Sequence, residues 1–165
     1  MGYVEKNLIA GEKVVYKTGL HWIVMVVPTL LAVIFAIVGI WLLVRGASSS
    51  DAGDSRGALE IGGVISLLVG VALFVHGWLR RNSIEMAVTN KRIVIKTGIA
   101  SRRTIEMLLA KVESIDVNEG MFGRMLGYGS VMVRGIGGSP EPFDTIEHPL
   151  LFRRQVQQQI ENTGK

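Results

Sequence analysis

Residues 22–44 form an apolar run without a single charged side chain. A helix needs about 20 consecutive apolar residues to cross the hydrocarbon core of a bilayer, so this run is long enough to span a membrane. A second apolar run, residues 61–79, follows after a polar segment. The sequence therefore predicts a membrane protein with transmembrane helices at 22–44 and 61–79, joined by an external loop at 45–60.

Basic residues are more frequent on the outer flanks of the two runs than in the loop between them. The flanks carry Lys6, Lys13, Lys17, Arg80 and Arg81, whereas the loop carries Arg45 and Arg56 against three acidic residues. Lys and Arg are retained on the cytoplasmic side of membrane helices. We therefore expect both termini, including the segment 1–21, to be cytoplasmic. We expect Arg80 and Arg81 to anchor the end of the second span.

Small residues recur along the second run. Gly63, Gly70 and Gly77 are spaced by seven residues, which places them on one stripe of a helix. Glycine allows two helices to approach closely, so the stripe predicts a packing face against the first span or against another copy of the chain. Because glycine is common in membrane helices generally, ordinary composition is the competing interpretation.

After Arg81 the apolar residues alternate with polar ones, which is typical of strands with one buried face. The predicted strands are 84–89, 92–96, 102–109, 112–119 and 130–134. A single helical turn is predicted at 121–126, and an amphipathic helix at 149–162. A weaker alternation at 12–18 could add an N-terminal strand to the same sheet. The pattern predicts an α+β domain at 82–163, a small β-barrel or sandwich capped by a C-terminal helix.

Three stretches carry a resemblance to a known family. They are VTNKRIVIKTG at 88–98, SRRTIE at 101–106 and KVESIDV at 111–117, and the segments 11–16, 126–131 and 144–154 extend the match. In these stretches the chain resembles the bacterial pleckstrin-homology-like (PH-like) membrane proteins of the YdbS type. The resemblance implies a PH-like domain at the bacterial inner membrane, with two transmembrane helices in its sequence.

The basic residues around the first predicted hairpin are candidate lipid-binding residues. They are Lys91, Arg92, Lys96, Arg102 and Arg103. Clustered Lys and Arg near an anionic leaflet gain about 1 kcal/mol each. Three interpretations remain open: recognition of a lipid headgroup, non-specific apposition to the membrane, and a solvated basic face that only determines topology.

The sequence carries no pattern of catalytic residues. Neither GxSxG nor HExxH occurs, and the glycine-rich stretch 135–138 lacks the lysine and the helix start of a phosphate-binding loop. We therefore expect no enzymatic activity, no cofactor, no metal site and no nucleic-acid partner. The predicted function is to bind, scaffold or organise at the membrane, through anionic lipid and self-association. The alternative is an accessory subunit of a membrane transport or stress-response complex.

Overall fold

The computed structural model describes residues 3–48, 54–99, 103–137 and 141–163. The chain divides into two compact units. One unit, which we call the β domain, combines Met1–His21 with Arg81–Lys165, and the other, the helical hairpin, is Trp22–Arg80. The chain thus begins the β domain, leaves it for the hairpin, and returns to complete it.

The described elements follow in a simple order. They are α1 (Tyr3–Lys6), β1 (Val14–Gly19), a 3₁₀ turn (Trp22–Met25), α2 (Val26–Ser48), α3 (Asp54–Arg81), β2 (Ile84–Thr89), β3 (Arg92–Thr97), β4 (Arg103–Leu108), a second 3₁₀ turn (Leu109–Lys111), β5 (Val112–Asn118), α4 (Met121–Leu126), β6 (Tyr128–Gly135), β7 (Glu141–Glu147) and α5 (Pro149–Thr163). The predicted fold class is confirmed: the chain combines two long apolar helices with antiparallel sheets and a C-terminal helix.

The two helices of the hairpin are long and apolar enough to cross a membrane, by length and composition. The mean hydropathy of the apolar 18-residue window is 2.9 in Trp22–Ser48 and 2.3 in Ser55–Arg81. Both helices continue into the predicted loop 45–60, which is helical at 45–48 and 54–60. The first turn of α3 is polar, and the Arg56 and Glu60 side chains, one turn apart, form an ion pair of 3.0 Å.

The three glycines of the predicted stripe all face α2. A Cβ at Gly63 would lie 2.9 Å from the carbonyl oxygen of Gly39, and one at Gly70 would lie 3.0 Å from that of Ala32. A Cβ at Gly77 would lie 2.7 Å from the Pro28 ring. The stripe is therefore used for close contact between the two helices of one chain.

The β domain contains two antiparallel sheets. The first has the strand order β1-β2-β3-β4, and the second has the order β5-β6-β7. The two sheets are joined at one corner, where the residue after β1, Leu20, forms a bridge with Ile146 and the Thr18 hydroxyl donates a hydrogen bond to the Glu147 carbonyl. The first strand of this domain thus comes from the chain before the membrane hairpin.

The main core lies between the sheets and is closed by α5. Met86, Ile93 and Val131 contribute from the strands, and Phe152 and Val156 from the apolar face of α5; all are at most 1% exposed. The amphipathic pattern of residues 149–162 identified this helix and its buried face correctly, because Phe152 and Val156 are one turn apart.

The central strands of the first sheet, β2 and β3, are buried on both faces, whereas their alternation indicated one buried face. The residues of its outer face, Ala87 and Val94, lie under the N-terminal segment, where Val4 and Leu8 pack against them. The N-terminal segment lies about 80 residues earlier in the chain than β2 and β3. The local pattern of these two strands therefore cannot indicate that it packs on them.

Strand β7 was not predicted from the sequence. It contains Pro142, which is tolerated because β7 is at an edge of its sheet. Its buried residues Phe143 and Ile146 are three apart, because Thr145 has a positive φ of 59° and the register shifts opposite it. The irregularity removes the period-two signal on which strand prediction depends.

Candidate functional site

Both connections between the β domain and the helical hairpin leave from one end of the first sheet. Gly19, at the end of β1, pairs with Glu85 near the start of β2, and Ile84 pairs with Thr97 at the end of β3. His21 continues directly into Trp22, and Arg81 follows directly from Arg80. We call this end, formed by residues 19–21, 81–85 and 97, the tethered end.

A polar cleft of about 520 Å³ opens at the tethered end. Its charged lining residues are Lys17, Arg81, Glu85 and Glu147. The Lys17 ammonium and the Glu85 carboxylate lie 2.7 Å apart. The cleft thus presents two basic and two acidic side chains.

Two of the predicted lipid-binding residues lie at the tethered end of the first sheet by their strand register. Lys96 is opposite Glu85 in the β2–β3 pairing, and Arg103 is opposite Thr97 in the β3–β4 pairing. The Arg103 guanidinium forms an ion pair of 2.5 Å with Glu141, across the two sheets. Lys96 has no acidic partner within 4.0 Å among the residues that the structure describes. Arg102, the fifth member of the predicted set, lies outside the described residues.

Lys91 is at the opposite end of the same sheet. It lies five residues before Lys96, which corresponds to about 16 Å of extended strand. Its ammonium donates a hydrogen bond of 2.9 Å to the Ala10 carbonyl, and the neighbouring Asn90 side chain bonds the Lys13 amide and the Gly11 carbonyl. The hairpin turn at 90–91 therefore holds the N-terminal segment, and the predicted basic set is divided between two ends.

Arg92 points into the β domain and is only 9% exposed. Its guanidinium forms ion pairs with Glu12 at 2.9 Å and Glu106 at 2.5 Å, and donates a further hydrogen bond to the Asn7 carbonyl. All three guanidinium nitrogens of Arg92 thus donate hydrogen bonds to protein atoms. The structure gives Arg92 an internal role, between β3, β4 and the N-terminal segment.

The surroundings of the buried pair Arg92 and Glu12 favour the charged form of each side chain. Burial would raise the pKa of Glu12, but hydrogen bonds from Arg92, the Ile9 amide and Thr89 outweigh it and lower the pKa below its usual value. The hydrogen bond to Glu12 correspondingly raises the pKa of Arg92 above its usual value, against the opposing effect of burial. The ion pair is therefore maintained at neutral pH.

His21 connects the tethered end to α4. Its imidazole stacks on the Tyr128 ring with 5.3 Å between ring centroids, and it hydrogen-bonds the Leu126 carbonyl. Burial lowers the pKa of His21, with Glu147 acting in the opposite direction and His148 and Arg81 adding to the decrease. At neutral pH the ring is therefore uncharged, in a contact that fixes α4 beside the point where the chain enters the hairpin.

Sequence reasoning missed most residues of the cleft. The pattern indicates Glu85 only as a polar residue of a predicted strand, and Glu147 lies in the strand that was not predicted. Lys17 is indicated as a determinant of topology and as a polar residue of the weak alternation at 12–18. They come together only because β1, β2 and β7 meet at one corner, a contact between segments more than 60 residues apart. The weak alternation at 12–18 could have indicated that Lys17 and Glu85 are neighbours, if this segment had been paired with β2.

Comparison with known proteins identifies the family. A family model described as a bacterial PH domain matches residues 13–163. No curated protein and no solved structure matches the chain significantly. The match begins one residue before β1 and ends at the last residue of α5, so it covers the β domain from its first strand to its last helix, together with the hairpin. This chain belongs to the bacterial PH domain family.

Proposed function

We propose that this protein is a non-catalytic PH module of the bacterial inner membrane, which binds anionic lipid headgroups at the tethered end of its β domain. Membership of the bacterial PH domain family supports a binding module, since PH domains are generally non-catalytic. The two apolar helices support anchoring in the membrane. The distribution of Lys and Arg around them supports a cytoplasmic β domain.

The observation that carries the proposal is the strand register. Ile84 follows α3 by three residues and pairs with Thr97, so that Lys96 and Arg103 lie at the end of the sheet that is connected to the hairpin. Charges held within about 10 Å of an anionic surface are attracted to it at physiological ionic strength. The connection to the membrane thus keeps these two cations where anionic headgroups can reach them.

The existing partners of these cations leave them available to a phosphate. The Arg103 side chain is 69% exposed in its pair with Glu141, and exposed ion pairs contribute only about 0–1 kcal/mol. A lipid phosphate can therefore compete for the Arg103 guanidinium, which binds phosphate in a bidentate geometry. Arg92, in contrast, is excluded from this role by its burial beside Glu12.

The test measures lipid retention by the full chain in nanodiscs that contain phosphatidylcholine and phosphatidylglycerol. The double variant Lys96→Gln/Arg103→Gln removes two charges from the tethered end. The matched control Lys91→Gln/Lys111→Gln removes two charges from the opposite end. We expect native mass spectrometry to show fewer retained phosphatidylglycerol molecules for the first variant and wild-type retention for the control.

Equal retention in both variants and the wild type would contradict the proposal.

The same mass spectra also test two related predictions. A mass equal to a multiple of the chain would support self-association. A stoichiometric second protein, when the chain is extracted from its native membrane, would favour the alternative of an accessory subunit of a membrane complex.

A further inference from the structure

Helix α4 presents an unusual apolar surface for a domain outside the membrane. Met121, Phe122 and Met125 are 80%, 70% and 78% exposed, and they lie one and four positions apart on one face of the short helix. Isolated exposed apolar residues are common, but a cluster of large ones generally marks an interaction surface. Arg124 lies beside them and is also exposed.

The opposite side of α4 is fixed against the β domain. Gly123 is buried, and a Cβ at this position would clash with the Tyr128 carbonyl oxygen. The helix ends at Gly127, whose φ of 78° allows its amide to bond the Gly123 carbonyl. The apolar side chains are therefore held outward by a close backbone contact that only glycine permits.

The position of α4 indicates what covers this surface. His21, the last residue before the hairpin, stacks on Tyr128 and hydrogen-bonds the Leu126 carbonyl. Gly127 accepts a hydrogen bond of 2.9 Å from His148, which directly precedes α5, and the first turn of α5 adds the exposed Leu150 and Leu151. The apolar residues thus lie around the point at which the chain continues into an apolar helix.

We propose that α4 inserts Met121, Phe122 and Met125 into the interface of the bilayer that anchors the chain. Apolar side chains with a flanking basic residue are typical of segments that lie in a membrane interface, and Arg124 can reach the headgroup phosphates. The proposal rests on the anchoring of the chain in a membrane, but it does not require headgroup binding by Lys96 and Arg103.

The chain contains no cysteine, so a single introduced cysteine can carry a specific label. An environment-sensitive fluorophore on Met125→Cys in the full chain reports the surroundings of α4. The control label is on Glu113→Cys, an exposed position near the opposite end of the domain. In nanodiscs we expect the label at 125 to be blue-shifted, quenched by lipids with a spin label near the headgroup, and shielded from aqueous iodide, unlike the label at 113.

Two comparisons separate this proposal from that of headgroup binding. Quenching at position 125 should persist in purely phosphatidylcholine nanodiscs, where anionic headgroups are absent. Adding Met121→Ser and Phe122→Ser, both at exposed positions, should weaken the quenching and restore access of iodide. The proposal is overturned if iodide reaches positions 125 and 113 equally. It is also overturned if position 125 is shielded without quenching by lipid, since a protein then covers α4.

Discussion

At the scale of single residues, the guanidinium of Arg92 joins three parts of the β domain. It connects β3 to Glu106 on β4 and to Glu12 and Asn7 in the N-terminal segment. The sequence pattern indicates an exposed Arg92. A hairpin turn with Lys and Arg gives the same pattern whether its side chains point outward or inward. The buried partner of Arg92, Glu12, lies 80 residues earlier in the sequence, before the helical hairpin.

The first prediction concerns this buried pair. Arg92→Met leaves the fully buried carboxylate of Glu12 without its cation, and the loss of one partner of a buried ion pair costs about 3–5 kcal/mol. We expect a decrease of this size in the free energy of opening of β2 and β3. Native-state hydrogen exchange of the full chain in nanodiscs measures it.

Two variants control this experiment. Lys91→Gln removes a charge from the neighbouring, exposed position and should change the opening free energy by less than about 1 kcal/mol. Glu12→Gln combined with Arg92→Met should be more stable than Arg92→Met alone, since a neutral amide costs less to bury than an unpaired carboxylate. A single variant Arg92→Met that behaves like Lys91→Gln would show that the pair does not stabilise the domain.

At the scale of elements, prediction succeeded where the local pattern is regular. The period of four in Phe152, Val156 and Ile160 located α5 almost to the residue, and Gly120 and Gly127 delimited α4. Prediction failed for β7, where Thr145 interrupts the alternation. It also made the two apolar helices too short: α2 continues to Ser48, and α3 already begins at Asp54, because its polar first turn reads as a loop. Hydropathy defines the apolar part of a membrane helix rather than its ends.

The contact between α2 and α3 gives a prediction with a matched control inside one helix. A Cβ at Gly63 would lie 2.7 Å from Leu43 and 2.9 Å from the Gly39 carbonyl, whereas one at Gly62 would have no neighbour closer than 3.8 Å. We expect Gly63→Val to force the helices apart and lower the thermal stability of the hairpin, and Gly62→Val to have little effect. Distances between spin labels on α2 and α3 would measure the separation.

A hairpin that tolerates Gly63→Val as well as Gly62→Val, with unchanged interhelical distances, would contradict the close packing of these two helices. The comparison is internal, since both variants add the same side chain to the same helix and carry the same cost in helix propensity. Only the face of the helix differs between them.

At the scale of the whole molecule, the sequence of the β domain is interrupted by the helical hairpin. The sequence indicated the two apolar runs and the strands after them, and it raised the addition of an N-terminal strand at 12–18. It could not place the cleft or divide the basic residues between two ends of a sheet, because both depend on the pairing of β1 with β2 and on the corner between β1 and β7. This topology is what brings Lys17, Glu85, Lys96 and Glu147 to the tethered end.

The central claim is that the tethered end of the β domain faces the lipid. Single cysteines at Ile99, in the turn after β3, and at Lys111, near the opposite end, can each carry a photo-activated cross-linker on the full chain in phosphatidylglycerol-containing nanodiscs. We predict that the cross-linker at position 99 captures lipid and that the one at position 111 does not. Capture of lipid at 111 but not at 99, or equally at both, would contradict the account.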